Sequence, residues 1–265
     1  MKVLIKGAGD LASGIACRLR NSGYEILMTE LAVPTTVRRT VAFSRAVYEG
    51  TCEVEGIEGV LVGSLKQITK VQKEGKIAVL IDETVAILRT YQPQVLIDAV
   101  LAKKNTGTSI SDAPLVIGVG PGFEAGKDVH VVIETKRGHD LGRVIRQGSA
   151  IPNTGVPGDI GGYTTERLLR AGAAGVFHPA VTIGDLVEKG QIVAETAGIP
   201  IYAQMSGIVR GMLQEGVEVS CGMKVGDIDA RCELQHCYSV SDKARAIGGG
   251  VLEAIAAFEH DVHRR

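Results

Sequence analysis

The sequence of 265 residues contains no tryptophan and only 4% aromatic residues. It therefore has few of the flat side chains on which proteins stack unpaired bases. It also lacks an excess of either charge, because 29 basic and 30 acidic residues give a net charge of −1. Such a balance indicates neither a nucleic-acid surface nor a polybasic membrane surface. We therefore expect neither nucleic acid nor a membrane among its partners.

Long apolar runs are also missing, since none approaches the roughly 20 residues that span a membrane. The first residues already fit a β-strand, so no signal peptide is expected. Five cysteines without regular spacing favour free thiols in a reducing compartment over a disulfide framework. These absences predict a cytoplasmic protein. The cluster of Cys232, His236 and Cys237 is more typical of ordinary packing, so no metal site is predicted.

A glycine turn near the start is the feature around which the chain is organised. A short apolar run leads into Gly7 and Gly9, and a helical pattern begins at Asp10. This order of strand, tight turn and helix is typical of dinucleotide binding, with Ala12 where close helix packing requires Gly or Ala. The N–H groups at the start of the helix favour an anion such as a pyrophosphate.

An acidic residue follows the turn at the spacing that a ribose requires. Glu30 ends the second predicted strand, 21 positions after Gly9. At about that distance a carboxylate meets the ribose 2′-hydroxyl of a bound dinucleotide. Glu30 favours NAD, whereas Arg38 and its neighbour Arg39 leave NADP open.

Two further apolar strands are predicted to end in an acidic residue, at Asp82 and Asp98. The carboxyl ends of parallel strands share one edge of a sheet, and open α/β sheets bind their ligands there. Both residues are therefore candidates for the same binding site. An aspartate at a strand end can equally cap the next helix, and this alternative stays open.

An irregular segment rich in glycine and polar residues follows Glu134 and contains Arg137, His139 and Arg143. The two arginines could clamp a phosphate or a carboxylate, and the histidine could move a proton near neutral pH. These three residues are our candidate catalytic residues. A linker with solvated charges would explain the same composition.

The second half of the sequence contains a short repeat. Gly184–Gly190 recurs as Gly216–Gly222 at an offset of 32, which predicts two similar β units in one small sandwich. This segment resembles a biotinyl- or lipoyl-type barrel-sandwich hybrid. In the carriers of that type the modified lysine lies in a hairpin, but here the position falls on Thr196. A covalently modified swinging arm is therefore not expected.

The predicted fold class is α/β, with a Rossmann-like parallel sheet followed by a small all-β barrel-sandwich hybrid module and a C-terminal helix. The predicted segments are a nucleotide-binding domain at 1–135, a Gly-rich connection at 136–174, the β module at 175–231, and the helix and tail at 232–265. Small modules of this kind often assemble, so we expect a homodimer.

Four groups of motifs are distributed over nearly the full length of the sequence: Lys6–Gly14; Met28–Leu31 with Val37–Thr40; Gly120–Gly126 with Glu134–Gly142; and Lys224–Arg231 leading into Ser241–Gly250. In these motifs the sequence resembles the YqeB family of accessory proteins for selenium-dependent molybdenum hydroxylases. The resemblance implies a maturation context, in which a hydroxylase or its cofactor is prepared with labile selenium.

Three functions are compatible with these features. The first is a maturation factor that binds NAD(P) or a molybdopterin dinucleotide at Gly7 and Gly9, with a molybdenum hydroxylase or its maturation proteins as partners. The second is an NAD-dependent oxidoreductase, although no Tyr-x-x-x-Lys or Ser-His-Asp set accompanies the glycine turn. The third is a non-enzymatic scaffold that docks a partner enzyme. The sequence leaves open whether the protein is an enzyme.

Overall fold

The structure is a computed structural model in which residues 1–155 and 158–264 are described. Residues 156–157 of the predicted connection lie outside the described part. The described strands are β1 (Lys2–Lys6), β2 (Glu25–Glu30), β3 (Thr51–Val54), β4 (Ile57–Val62), β5 (Ile77–Ile81), β6 (Val95–Asp98), β7 (Leu115–Val119), β8 (Val131–Ile133), β9 (Val144–Ile145), β10 (Leu168–Arg170), β11 (Gly175–Pro179), β12 (Leu186–Val187), β13 (Ile192–Thr196), β14 (Ile199–Tyr202), β15 (Gly207–Met212), β16 (Glu218–Val219) and β17 (Lys224–Asp229). The described helices are α1 (Asp10–Asn21), α2 (Ala46–Glu49), α3 (Leu65–Lys73), α4 (Leu88–Tyr91), α5 (Gln235–Tyr238) and α6 (Asp242–His263).

The chain divides into two compact units that interleave along the sequence. The first unit contains Met1–Pro34, Phe43–Thr154 and Val240–Arg265, and the second contains Thr35–Ala42 and Gly155–Ser239. The sequence-based division has four consecutive segments instead. Segments that are distant in the sequence but belong to one unit do not share a recognisable composition. The sequence therefore could not show that the C-terminal helix returns to the first unit.

A nine-stranded sheet in the order β3-β4-β5-β2-β1-β6-β7-β8-β9 forms the centre of the first unit. The strands from β4 to β8 in that order are parallel to their neighbours, whereas β3 and β9 pair antiparallel at the two edges. The hairpin between β3 and β4 turns at Glu55 and Gly56, both with positive φ, as a two-residue hairpin turn requires.

The predicted fold class is wrong. The large sheet is mixed rather than parallel, and the second unit contains two four-stranded antiparallel sheets in the orders β10-β17-β15-β12 and β14-β13-β11-β16. This β region is larger than the predicted module, because β10 and residues 35–42 belong to the same unit. The pairing direction of an edge strand depends on the path of its connection, which periodicity does not reveal.

The repeat in the second unit corresponds to two matching strands. β12 and β16 are each two residues long and each buries one valine, Val187 at 4% exposure and Val219 at 5%. The hairpin from β13 to β14 turns at Ala197 and Gly198, with Thr196 paired to Ile199. The apolar core of this unit includes Phe177 and residues from both sheets.

Glycines allow α6 to pack closely against α1 in the first unit. A Cβ added to Gly14 would lie 2.6 Å from the Cβ of Ala244, and one added to Gly248 would lie 3.3 Å from the carbonyl oxygen of Gly14. Three consecutive glycines inside a helix cost stability relative to alanine. Close approach of the backbones explains Gly248 and Gly250. No helix among the described residues is both long and apolar enough to cross a membrane.

Substitution of Gly250 by alanine should destabilise the first unit, because the new methyl group would overlap the carbonyl oxygen of Gly142. We expect a loss of about 1–3 kcal/mol in the free energy of unfolding, as for other overpacked sites. The matched control is Gly249→Ala in the same helix, since a Cβ there meets nothing within 4 Å. The control should gain up to about 1 kcal/mol from helix propensity. Equal effects of the two variants in urea unfolding would contradict this packing argument.

Candidate functional site

The carboxyl ends of adjacent parallel strands bring several of the predicted site residues to one edge of the large sheet. Gly7 follows β1, Glu30 ends β2, and Asp98 ends β6, which pairs with β1 on the other side. Asp82 follows β5, the neighbour of β2. The structure therefore places these four residues along the edge that the sequence analysis predicted.

The glycine turn is held by Glu30. Gly7 has a φ of 95° and donates its N–H to the carbonyl of Thr29 at 2.9 Å. The Glu30 carboxylate accepts hydrogen bonds from the N–H of Ala8 at 2.9 Å and of Leu31 at 2.8 Å. Burial raises the pKa of Glu30, and these two hydrogen bonds offset only part of that effect. A residue predicted to meet a ribose thus also supports the turn.

The start of α1 matches the predicted arrangement of strand, turn and helix. Gly9 is the N-cap residue, and no side chain caps this helix end. Asp10 begins the helix, and Ala12 is 1% exposed within it. The small side chain of Ala12 is therefore explained by packing.

The two aspartates at the edge already have structural partners. Asp82 accepts hydrogen bonds from the N–H groups of Ala86 at 3.0 Å and Ile87 at 2.9 Å, so it caps the turn before α4. Asp98 is 1% exposed and lies 3.1 Å from the ammonium of Lys6. The capping alternative of the sequence analysis describes Asp82, and Asp98 forms a buried ion pair.

Arg38 lies in the second unit, where it is 7% exposed. Its guanidinium donates to the carbonyl oxygens of His236 at 3.0 Å and Ser239 at 3.2 Å. These contacts connect residues 35–42 to the chain near α5. The structure thus gives Arg38 a supporting role within its own unit.

The loop after β8 carries the three predicted catalytic residues and surrounds a cavity of about 670 Å³. Arg143 lines the cavity, whereas Arg137 forms two hydrogen bonds with Asp242 at the start of α6. His139 is exposed on the loop between them. The cavity is lined by Glu134, Asp140, Arg143, Val144, Ile145, Arg146, Gln147, Ser149 and Ile151.

Glu134 fixes the shape of this loop through hydrogen bonds to its backbone. It is 2% exposed, and its carboxylate accepts hydrogen bonds from the N–H groups of Thr135 and Lys136, both at 2.7 Å, and of Ile151 at 2.8 Å. One side chain therefore joins the beginning of the loop to its end. These hydrogen bonds satisfy the buried carboxylate, so the role of Glu134 in the wall of the cavity is structural.

Lys243 is a residue that the sequence analysis missed. It lies in the first turn of α6 and is half-buried. Burial lowers its pKa, and the charge of Arg137 lowers it further, while Asp10 and Glu134 act in the opposite direction. The available signal was its place in the motif Ser241–Gly250, which the sequence analysis used only for the family resemblance.

The described residues contain no group of three or more histidine, cysteine, aspartate or glutamate side chains that could hold a metal ion. Burial raises the pKa of Cys17 to about 12 and of Cys52 to about 11, so these two thiols are poor nucleophiles at neutral pH.

The fold and the site define a protein with one large mixed sheet, two smaller antiparallel sheets and a candidate ligand site at the carboxyl ends of the parallel strands. No family model matches the chain. The chain is 49% identical over 258 residues to the uncharacterized protein YqeB from Escherichia coli (strain K12), which supports the predicted resemblance to the YqeB family. The match covers 97% of this chain and 48% of the relative, so the chain spans about half the length of that protein.

Two solved structures show a weaker likeness. One is a succinylglutamate desuccinylase/aspartoacylase from Rhodobacter sphaeroides, with 15% identity, coverage of 86% of this chain and 84% of that one, and a TM-score of 0.28. The other is an aspartoacylase family protein from Mesorhizobium loti MAFF303099, with 12% identity, the same coverages and a TM-score of 0.26. With such low scores they assign neither a fold nor an activity to this chain.

The geometry of the site corrects the predicted function. Glu30, Asp82 and Asp98 were predicted to meet a dinucleotide, but their carboxylates already bind backbone N–H groups or a lysine. The role as a maturation factor with NAD(P) or a molybdopterin dinucleotide is therefore withdrawn, together with the NAD-dependent alternative. A glycine turn after a strand was too general a signal to carry them.

The role of Glu30 in the turn gives a pH-dependent prediction. Because its pKa is raised in the folded state, its ionisation opposes folding, and its cost appears as the pH rises through the raised pKa. Glu30→Gln loses an acceptor for one N–H, so it should be less stable than the wild type at pH 4 by about 1 kcal/mol. This difference should shrink by pH 7, as measured by urea unfolding. The control is Glu25→Gln, an exposed position on the same strand. A difference that stays constant from pH 4 to pH 7 would contradict the assignment.

Proposed function

We propose that the first unit binds a small acidic molecule in the cavity beside β9. The observation that carries this proposal is the cavity of about 670 Å³, which has the volume of a typical small-molecule site. Its lining combines the apolar side chains of β9 with the two guanidinium groups of Arg143 and Arg146. Guanidinium groups bind carboxylates and phosphates through paired hydrogen bonds, so an acidic ligand fits best.

The existing contacts of Arg143 leave it available to a ligand. Its side chain is 69% exposed, and its ion pair is with Asp140 of the same loop at 3.2 Å. Exposed pairs of this kind contribute about 0–1 kcal/mol, so exchange of Asp140 for the acid of a ligand costs little. Arg146 makes no ion pair with any residue that the structure describes.

The other predicted site residues have two distinct roles in this proposal. Arg137 positions the loop through its bonds to Asp242. His139 is an exposed neighbour of the cavity-lining Asp140 and stays the candidate for proton transfer, should the ligand be converted. Ligand contacts at Gly7, Gly9 and Asp10, and assembly as a homodimer, stay predictions.

The test is calorimetric titration of the full chain with acetate, butyrate, succinate, citrate and inorganic phosphate. We expect the double variant Arg143→Gln/Arg146→Gln to weaken binding of the best acid by tenfold or more, since a hydrogen bond to a charged group contributes about 1.5–3 kcal/mol. The control is Lys66→Gln, an exposed position on α3 that removes one positive charge away from the cavity lining. The proposal fails if no acid binds the wild type, or if the double variant binds as the control does.

A further inference from the structure

Lys243 lies on the face of α6 that meets the cavity loop. Positions 243, 246 and 250 are neighbours on one face of a helix. Ala246 and Gly250 both contact Gly142, since a Cβ added to Gly142 would lie 2.6 Å from the carbonyl oxygen of Ala246. Gly142 directly precedes Arg143, which lines the cavity. Lys243 therefore lies one helical turn from the backbone that presents Arg143.

The charges around Lys243 come from three elements. Asp10 begins α1, Glu134 and Arg137 belong to the loop after β8, and Asp242 precedes Lys243 in α6. All four interact electrostatically with its ammonium group. Lys243 is thus enclosed by the same segments that build the carboxyl end of the sheet.

The nearby carboxylates already have other partners. Glu134 accepts three backbone hydrogen bonds, and Asp242 is paired with Arg137. Among the residues described in the structure, Lys243 forms no hydrogen bond or ion pair. A half-buried ammonium group without a partner gains free energy when an anion reaches it, because burial has removed part of its hydration.

We infer that Lys243 is a second cationic group of the cavity site, and that the ligand is a small molecule with two acidic groups. One acid binds at Arg143 and Arg146, and the other binds at Lys243. This inference rests on the proposed function, and it adds to that function the class of ligand. A cation beside the two cavity-lining arginines would select a diacid over a monoacid of similar size, because the monoacid leaves Lys243 without a partner.

The test compares diacids with monoacids of similar length: succinate with butyrate, and glutarate with valerate. In calorimetric titrations, wild-type protein should bind each diacid at least tenfold more tightly than the matching monoacid. The reason is that the second acid adds one charged contact. Lys243→Met keeps the aliphatic stem and should lose this preference while it still binds the monoacids. Lys66→Met on α3 is the matched control and should keep the preference.

A second measurement uses the wild-type protein and needs no variant to fold. A trace of isotopically labelled acetic anhydride at pH 8 should acetylate Lys243 faster than Lys66, because a lowered pKa leaves more neutral amine. Saturating succinate should protect Lys243 at least fivefold, and butyrate should not. Labelled peptides are quantified by mass spectrometry.

The outcomes separate this inference from the proposed function. If no acid binds, or if Arg143→Gln/Arg146→Gln binds acids as the wild type does, the proposed function fails and the inference fails with it. If acids bind through the arginines but Lys243→Met keeps the preference for diacids, the inference alone is overturned. It is also overturned if succinate leaves the acetylation of Lys243 unchanged.

Discussion

The first unit depends on the close approach of α6 to two other segments of backbone. Gly14 lets α6 pack against α1, and Gly142 meets Gly250 from the loop after β8. A side chain at Gly142 or Gly250 would push the helix outwards, because the nearest atoms there are backbone and cannot rotate away. A side chain at Gly14 would overlap the Cβ of Ala244, which is fixed to the backbone of α6. The same contacts bring the start of α6, with Lys243, to the carboxyl end of the sheet. Packing of glycine against backbone therefore determines where the charges of the site lie.

The charges at this end of the sheet fall into two groups with different roles. The carboxylates build the scaffold: Glu30 holds the glycine turn, Asp98 neutralises Lys6, and Glu134 closes the cavity loop. Buried carboxylates are stable there because hydrogen bonds or a cation compensate for their lost hydration. The basic groups Arg143 and Lys243 lack such strong internal partners. The acidic ligand that we propose fits this division of roles.

The second unit shows where the two copies of the short sequence repeat lie in the fold. Each copy of the repeat provides a two-residue strand and one buried valine, so both copies have the same place in packing. The hairpin that follows Thr196 turns at Ala197 and Gly198, which adopt positive φ. A turn with positive φ favours small residues, so we assign this hairpin a structural role.

The sequence by itself determined the local features of this protein: the strand and glycine turn before α1, the acids at the ends of β2 and β6, and the repeat around β12 and β16. These features depend on neighbouring residues and on alternation of apolar positions, which a sequence displays directly. Only the tertiary structure decided that the sheet is mixed, that Arg38 belongs to the second unit, and that Lys243 joins the cavity loop. The mixed sheet depends on the direction in which the edge strands β3 and β9 pair with their neighbours. The other two facts depend on contacts between residues more than 100 positions apart, such as Arg137 with Asp242, and local patterns carry no record of them.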